Sequence, residues 1–369
     1  MISRKLPFLC LMAAAVSMPA MLADEGRVPL YQQTVINAPG HYVVTRNFAV
    51  ASGSAITIQA SGVTIDLNKH TISGSGTAGS LISIGAGATD VIVKNGRLTA
   101  AERGIHSSAA SSRARILVES LEINEMIGSA IFIDNADVVE VLRCTIANVA
   151  RSLSLEAAIE ISGPGGFGGR LTDNTIKFSI DKGMNLSGLS GGEVSRNTLL
   201  ATGAALDNPG MVLSGGGGNL VEGNTIRQGS GIGLNIIENA DIIRGNIVSR
   251  QDEGGIAVSG TGNQILENVS SGNGGFDIAA GGLSVGGDHN SIRGNQVSNN
   301  TGHGISVFGG PANIVEGNLS QGHFNAIYGD CGLYFGSANG HVYRNNVLRD
   351  NTGGAVCGSV NTDAGGNVL

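Results

Sequence analysis

The chain has 369 residues, of which 59 are glycine, none is tryptophan and 14% are charged. Helical and doubly wound domains carry few glycines inside their elements, so this composition argues against them, while 41% hydrophobic residues argue against a disordered chain. Without Arg4 and Lys5, which lie in the leader predicted below, the basic residues fall from 22 to 20 against 29 acidic ones. Such an acidic chain is not expected to bind nucleic acid.

The first 23 residues have the pattern of a secretory signal peptide. A basic start is followed by an apolar run from Leu6 to Val16 and by small residues near Ala20 and Ala23. The run is too short to be a transmembrane span. We therefore predict an exported protein, periplasmic or extracellular, with residues 1–23 as signal peptide and no transmembrane segment.

A phrase centred on asparagine recurs along the rest of the chain, as in Glu222-Gly-Asn-Thr-Ile and Arg244-Gly-Asn-Ile-Val. Its spacing of 22 to 30 residues is typical of a solenoid. We expect each asparagine to turn a corner in the left-handed conformation and to bond the asparagine of the next turn. The positions assigned to this ladder are Asn68, Asn95, Ser120, Cys144, Asn174, Asn197, Asn224, Asn246, Asn268, Asn295, Asn318, Asn345 and Asn367.

Inside each repeat, as in "GIGLNII" and "GHGISVF", apolar residues alternate with small or polar ones. This period of two residues indicates strands, so each repeat is a coil of short strands that stack in parallel at about 4.8 Å. We predict an all-β parallel solenoid of about 12 to 13 coils over residues 51–369. Residues 24–50 are predicted to lead into the first coil and to cover it.

The segments "INAPGHYVVTRNFAV" (residues 36–50) and "GVTIDLNKHTISGSG" (residues 62–76) resemble the lead-in strands and first coil of a known family. It comprises the right-handed parallel β-helix repeat proteins, which include pectate lyases, polygalacturonases, and alginate epimerases and lyases. The resemblance implies a right-handed β-helix. It leaves the activity open, since the same fold carries enzymes and plain binding rods.

In the strand phrase Gly-Ile-x-Val-x, each x faces solvent on one long sheet. The first x column is predicted to contain His106, Phe132, Glu160, Asn185, Val212, Gly233, Ala257, Ser284, Ser306 and Tyr334. The second column is predicted to contain Ser108, Asp134, Ser162, Ser187, Ser214, Asn235, Ser259, Gly286, Phe308 and Gly336. Asn185 and Asn235 are therefore candidates for substrate binding.

Charged residues gather on four consecutive rungs of this sheet, namely Arg103, His106, Asp134, Glu156, Glu160 and Lys182. Carboxylates beside a basic group suit β-elimination or C5-epimerisation of an acidic polysaccharide. In this hypothesis Lys182, or else Arg103 or His106, is the base. Asp134 and Glu160 neutralise the substrate carboxyl, directly or by binding Ca²⁺, which is the one cofactor considered.

Two further motifs resemble parts of enzyme families. "TGHGISV" (residues 301–307) is similar to a polygalacturonase phrase, but the paired carboxylates of that family are missing, so His303 is interpreted as a repeat residue. "IYGDCGLYF" (residues 327–335) is similar to an alginate epimerase motif without its Pro-His-Asp. Tyr328 and Tyr334 are predicted to stack against sugar rings, beside Asp330.

Other interpretations stay open. The charged cluster can equally be a set of surface ion pairs on a non-catalytic glycan-binding or envelope-structural rod, and a polygalacturonase-like hydrolase ranks third. The segment "GPGGFGGR" (residues 163–170) is predicted to protrude as a loop beside Glu160. Cys331 and Cys357, 26 residues apart, either pair across neighbouring rungs or stay free, and Cys144 is predicted to be buried in the ladder. The C-terminal edge either caps itself or meets a partner, such as a second copy.

Overall fold

The computed structural model describes residues 26–76, 78–107, 114–150, 156–203, 208–274, 281–324, 330–337 and 340–369. These residues form an all-β parallel solenoid of about 12 turns, as predicted. Within these ranges, no helix is long and apolar enough to cross a bilayer. In chain order the strands are β1 (Val28–Leu30), β2 (Thr34–Ile36), β3 (Gly40–Val44), β4 (Phe48–Ala49), β5 (Ile56–Ile58), β6 (Val63–Asp66), β7 (Thr71–Ser73), β8 (Ser80–Ile84), β9 (Val91–Thr99), β10 (Arg103–Ser107), β11 (Arg115–Asn124), β12 (Ile131–Asp134), β13 (Val138–Leu142), β14 (Thr145–Val149), β15 (Ile159–Thr172), β16 (Thr175–Ser179), β17 (Met184–Leu189), β18 (Glu193–Ser195), β19 (Thr198–Leu200), β20 (Met211–Gly217), β21 (Leu220–Glu222), β22 (Thr225–Arg227), β23 (Ile232–Asn239), β24 (Ile242–Arg244), β25 (Ile247–Ser249), β26 (Gly254–Ser259), β27 (Gln264–Leu266), β28 (Val269–Ser271), β29 (Leu283–Gly286), β30 (Ser291–Arg293), β31 (Gln296–Ser298), β32 (Ile305–Phe308), β33 (Ile314–Glu316), β34 (Leu319–Gln321), β35 (Cys331–Phe335), β36 (Val342–Arg344), β37 (Val347–Arg349), β38 (Gly354–Gly358) and β39 (Thr362–Asp363).

A typical turn contributes one strand to a front sheet and two short strands to a rear sheet, whose two arms meet at a bend. The front sheet consists of β2, β5, β8, β10, β12, β15, β17, β20, β23, β26, β29, β32, β35 and β38, with β15 continuing into the rear sheet. Residues 28–50 stack in parallel on the first coil, through β2 on β5 and β3 on β6.

The core is a set of aliphatic columns that run along the axis of the solenoid. Leu186, Leu213, Ile236, Val258 and Val285 stand in register on successive front strands, and each is almost fully buried. Their neighbours in sequence point outward, because side chains alternate across a strand, and all of them except Val212 are at least partly exposed. The two-residue period therefore separates core residues from the residues of the front face.

One asparagine ladder fills the bend between the two arms of the rear sheet. In this first ladder each Nδ2 donates to the Oδ1 of the next turn, at 2.9 to 3.1 Å. Its members are Asn174, Asn197, Asn224, Asn246, Asn268, Asn295, Asn318, Asn346 and Asn367. The N–H of Cys144 donates to Asn174 Oδ1, so its predicted buried place in the ladder is confirmed.

The predicted ladder was wrong at Asn68, Asn95, Ser120 and Asn345. The residue that turns the chain at the corner and the residue that bonds the next turn are two different positions. Those four residues have positive φ, from 47° to 60°, which is the left-handed conformation. At the last of the four the ladder asparagine comes one position later, as Asn346 after Asn345. On the first three turns the positions aligned with the ladder are His70, Gly96 and Leu121, none of which is an asparagine. The left-handed residue turns the chain, and the buried amide that follows bonds the next turn.

Two more polar ladders line the other corners of the turn and were not predicted. In both, a backbone N–H donates to a side-chain acceptor one turn further on. The second ladder contains Asn219, Asp241, Asn263, Asn290, Asn313, His341 and Asn361. The third ladder contains Gln251, Asn273, Asn300, His323 and Asn351. Burial lowers the pKa of His323 to about 4, so this histidine is a neutral acceptor in its ladder.

The predicted loop at residues 163–170 was wrong, because this segment continues strand β15. The register of β15 against β17 shifts between Ser162 and Phe167, and Phe167 packs into the core at 2% exposure. A Cβ on Gly169, whose φ is +142°, would lie 1.9 Å from the carbonyl oxygen of Val139. Glycine here permits close contact with the preceding turn and does not mark a protrusion.

Cys331 and Cys357 form a disulfide, with Cα atoms 6.0 Å apart, between neighbouring front strands. Because the bridge closes a loop of 26 residues in the unfolded chain, replacing both cysteines by alanine should lower the free energy of unfolding by about 3 kcal/mol. Urea unfolding measures this change. Reductant should lower the stability of the wild type and leave the double variant unchanged. An equal response of the two proteins would contradict the prediction.

Candidate functional site

The outward face of the front sheet carries two straight columns of side chains. The first is His106, Phe132, Glu160, Asn185, Val212, Asn235, Ala257, Ser284, Ser306 and Tyr334. The second contains Asp134, Ser162, Ser187, Ser214, Ile237, Ser259, Gly286 and Phe308. Ser108, predicted for this second column, lies outside the described residues. The charged residues of both columns stand at the N-terminal end, as predicted.

One rung of the prediction was displaced by two residues. Asn235 stands in the first column, where Gly233 was expected, and Ile237 takes the place predicted for Asn235. The segment "GIGLNII" (residues 231–237) contains two pairs of glycine followed by an apolar residue, Gly231-Ile232 and Gly233-Leu234. The second pair is the one that begins the strand phrase, and Leu234 is buried in the core. A Cβ on Gly233 would lie 2.2 Å from Cγ1 of Val248, so that position requires glycine.

Arg103 is held by carboxylates at the first rung of the cluster. Its guanidinium forms ion pairs with Glu156 and, at 3.2 Å, with Glu102. The N–H and Oγ of Ser129 donate to Glu156 Oε2 at 2.9 and 3.2 Å. Burial alone would raise the pKa of Glu156, but the hydrogen bonds from Arg103 and Ser129 outweigh it and lower that pKa. Arg103 is therefore a fixed cation beside the first column.

His106 and Phe132 are neighbours in the first column. Their ring centroids lie 5.4 Å apart in an edge arrangement, and the guanidinium carbon of Arg103 lies 5.1 Å from the centroid of Phe132. Burial, and then the positive charge of Arg103, lower the pKa of His106 below 6.5. His106 is consequently neutral at pH 7 and can accept a proton.

Glu160 follows Phe132 in the same column and is partly buried. Its Oε1 accepts from Asn185 Nδ2 at 2.6 Å, and its Oε2 accepts from the N–H of Ala157 at 3.1 Å. Burial raises the pKa of Glu160 despite these bonds and despite the charge of Lys182. Lys182 Nζ itself lies 3.4 Å from Oδ1 of the buried Asp181. The structure thus brings Glu160, Asn185 and Lys182 together.

Asp134 lies on the rung of Phe132, in the second column, and its Oδ1 accepts from Ser162 Oγ at 2.7 Å. Asp134 and Glu160 could each supply oxygen to Ca²⁺, which takes about 6 to 8 oxygen ligands. Among the described residues, no group of three Asp, Glu, His or Cys side chains could hold a metal ion. The two carboxylates alone are a poor fit to Ca²⁺, so its role stays a prediction and no step is assigned to it.

The predicted sugar-stacking residues lie far from the charged cluster. Tyr334 is seven rungs from Glu160, roughly 34 Å along the axis, and Asn235 is three rungs from it. Tyr334 stacks on His303, with centroids 4.3 Å apart, and Phe308 lies 5.7 Å away. Nδ1 of His303 accepts from the N–H of Cys331, which agrees with its interpretation as a repeat residue. Tyr328 lies outside the described residues.

Glu238 and Asp241 form a buried carboxyl pair that the sequence analysis missed. Asp241 stands in the second ladder, where the neighbouring turns have asparagine. The available signal was "ENAD" (residues 238–241) at a corner that ends in asparagine in the next turn, as in "GTGN" (residues 260–263). This signal is visible only once the second ladder is known, because it marks an acid at a position where the other turns have an amide.

Residues 103–273 match the family model described as a right-handed β-helix region. The fold is a right-handed parallel β-helix. The periplasmic alginate epimerase AlgG is a solved structure with this architecture, at TM-score 0.56 and 13% identity over 86% of this chain and 78% of that one. This likeness concerns the fold.

Two other solved β-helix structures are more distant in shape. The A-module of the mannuronan C-5 epimerase AlgE6 from Azotobacter vinelandii has a TM-score of 0.46 and 14% identity over 93% of this chain and 89% of that one. DFA-IIIase from Arthrobacter chlorophenolicus A6 has a TM-score of 0.43 and 12% identity over 79% and 73%. Among curated protein sequences, none matches this chain.

Proposed function

We propose that this β-helix acts on an acidic polysaccharide along its front face, by proton transfer at C5 of a uronic acid. The observation that carries the proposal is the pair His106 and Glu160, which stand two rungs apart on either side of Phe132. Burial lowers the pKa of His106 and raises that of Glu160, and both shifts favour a neutral imidazole beside a protonated carboxyl. Two rungs separate their Cα atoms by about 10 Å, so both side chains can reach a sugar ring that lies over Phe132.

The proposed roles follow from the charge and contacts of each residue. His106 removes the C5 proton, Glu160 gives its proton to the departing O4, and a C4–C5 double bond forms as the C4–O4 bond breaks. Lys182 attracts the substrate carboxylate and remains the alternative base. Arg103 orients the substrate, since a guanidinium held by carboxylates is a poor base. Both His106 and Glu160 reach the sugar from the same sheet, which suits elimination better than inversion at C5.

Asn185 and Asn235 are proposed to bind sugar hydroxyls along the first column, and Tyr334 to contact a distant part of a long chain. Action on an extracellular polymer agrees with the signal peptide predicted for residues 1–23. Self-association through the C-terminal edge stays a prediction.

A non-catalytic glycan-binding rod is the second candidate function. The observation in its favour is that each charge of the cluster already has a protein partner. Arg103 pairs with Glu156, Lys182 with Asp181, and Glu160 with Asn185. Fully paired charges are also what a purely structural surface contains.

The proposal is tested by measuring absorbance near 235 nm while the purified protein is incubated with pectate, alginate or glycosaminoglycans, each with and without Ca²⁺. Elimination should produce unsaturated ends and a rising signal. NMR of the treated polymers detects epimerisation, which leaves absorbance unchanged. A flat trace together with unchanged NMR spectra across the panel, but retention of the protein on an immobilised glycan, would favour the binding rod.

A further inference from the structure

The second ladder contains one acid among amides, at Asp241. Its Oδ1 accepts from the N–H of Asn219 at 2.7 Å, and its own N–H donates to Asn263 Oδ1 at 2.9 Å, as an asparagine would. An asparagine would also offer an amide N–H at the other oxygen. In Asp241 that atom, Oδ2, is buried and receives no N–H or O–H donor from the described residues.

Glu238, three residues before Asp241, bonds the same Asn219 of the preceding turn. The two carboxyl groups are in hydrogen-bond contact, and the other bonds of Glu238 are already made. Its Oε1 accepts from the N–H of Gly216 at 3.0 Å, and its Oε2 accepts from Asn219 Nδ2 at 2.8 Å. A hydrogen bond between the two carboxyls therefore needs a proton on one of them, since two ionised carboxylates in contact repel each other strongly.

We propose that Glu238 and Asp241 share one proton, which replaces the missing amide hydrogen, and that loss of this proton loosens the corner between β23 and β24. The groups that face the pair are uncharged. Gly216 and Asn219 belong to the preceding turn, and Asn263 to the following one. Among the described residues, the groups that donate to either carboxyl come from Gly216 and Asn219, so no lysine, arginine or histidine bonds the pair.

The sign of the pH dependence follows from the direction of the pKa shift. Burial, and then the charge of Asp241, raise the pKa of Glu238 from 4.5 to about 7. The folded protein holds the proton more tightly than the unfolded chain does. The corner is therefore most stable below about pH 4.5, and this stability is lost as the pH rises through about 7. Strand β23 also carries Asn235 and Ile237, so the loosened corner adjoins the front face.

Hydrogen exchange of the full chain, followed by mass spectrometry at pH 5 and pH 8, tests the proposal independently of any enzymatic activity. After correction for intrinsic exchange, peptides spanning residues 216–219 and 234–241 should be at least about tenfold less protected at pH 8. The peptide around Asn290, in the same ladder, is the internal control and should not change. Equal protection of residues 234–241 at both pH values would overturn the proposal.

Two variants separate the shared proton from a general effect of pH. Asp241→Asn supplies the missing N–H to Glu238 and removes the second carboxylate, so this variant should keep its protection at pH 8 and lose the tenfold pH response. Glu238→Gln also removes the titration, but its amide would face a donor from Gly216 or Asn219, so protection should fall at both pH values. A tenfold pH response that persists in Asp241→Asn would show that another group is responsible.

Discussion

Replacing Asn224 with alanine should lower the free energy of unfolding by about 3 to 5 kcal/mol, because buried partners on both adjacent turns lose hydrogen bonds. Asn224 Nδ2 donates to the carbonyl of Val194 at 2.8 Å and to Asn246 Oδ1 at 2.9 Å. Its Oδ1 accepts from the N–H and the Nδ2 of Asn197, at 2.9 and 3.0 Å. Water cannot easily replace these bonds at a fully buried position.

The matched control is Asn345→Gly, an asparagine of the same repeat phrase that lies outside the ladder. Asn345 is exposed and has φ of 55°, a conformation that glycine adopts without strain. Its replacement should change stability by no more than about 0.5 kcal/mol. Urea unfolding of both variants measures the difference. Equal losses for the two would mean that the buried amides contribute no more than the corner residues do.

The second large effect concerns activity, and it depends on the proposed function. His106→Ala should reduce kcat/KM on the polymer that responds in the absorbance assay by about 10²- to 10⁴-fold, the usual contribution of a positioned base. His41→Ala is the matched control, since His41 is an exposed histidine on β3 of the rear sheet. It should leave kcat/KM unchanged. If both variants keep full activity, Lys182→Ala becomes the test of the base, with exposed Lys177→Ala as its control.

The same two groups predict the pH profile of the wild type. Activity needs neutral His106, so kcat/KM should rise with pH through a pKa below 6.5, since burial and Arg103 lower that pKa. Activity also needs protonated Glu160, so it should fall above a pKa that burial has raised from 4.5. The expected profile is a bell with its optimum in mild acid. In His106→Ala the acidic limb should disappear while the alkaline limb remains. An activity that does not fall at alkaline pH would argue against Glu160 as the acid.

The fold could be predicted from the sequence because both of its periods, the repeat length and the two-residue alternation, can be seen without knowing which residues are in contact. The repeat length indicates a solenoid, and alternation such as that of Leu186 and Val258 with their outward neighbours indicates strands. The ladders were harder to predict. Asn345 and Asn346 look equivalent in sequence, yet one turns the chain at the surface and the other is buried. Only the burial of the side chain distinguishes these two roles.

The charged end of the candidate site could be predicted because strand alternation sets the face and the repeat sets the rung. His106, Glu160 and Lys182 come together for that reason. Their pKa shifts could not be predicted, because these depend on burial and on partners such as Arg103 and Asn185. The prediction for the rung of Asn235 was displaced by two residues because Gly231 and Gly233 both precede an apolar residue. Only Gly233 lies at the crowded position where a side chain would not fit. Residues 163–170 were predicted to form a loop because glycine occurs both in turns and at positions of close packing. The sequence alone does not distinguish these two uses of glycine.

The polar ladders also constrain how such a chain can change length during evolution. Asn224, Asn246 and Asn268 are spaced by 22 residues, and each bonds its nearest neighbours along the ladder. A gene that lost codons 246 to 267 would bring Asn268 against Asn224, with the strands still in phase. Gain or loss of a whole turn is therefore a small step, whereas gain or loss of one residue inside a strand would turn the side chains that follow in that strand to the opposite face. Whole-turn duplication offers a simple route by which a rod of this length could have arisen from a shorter ancestor.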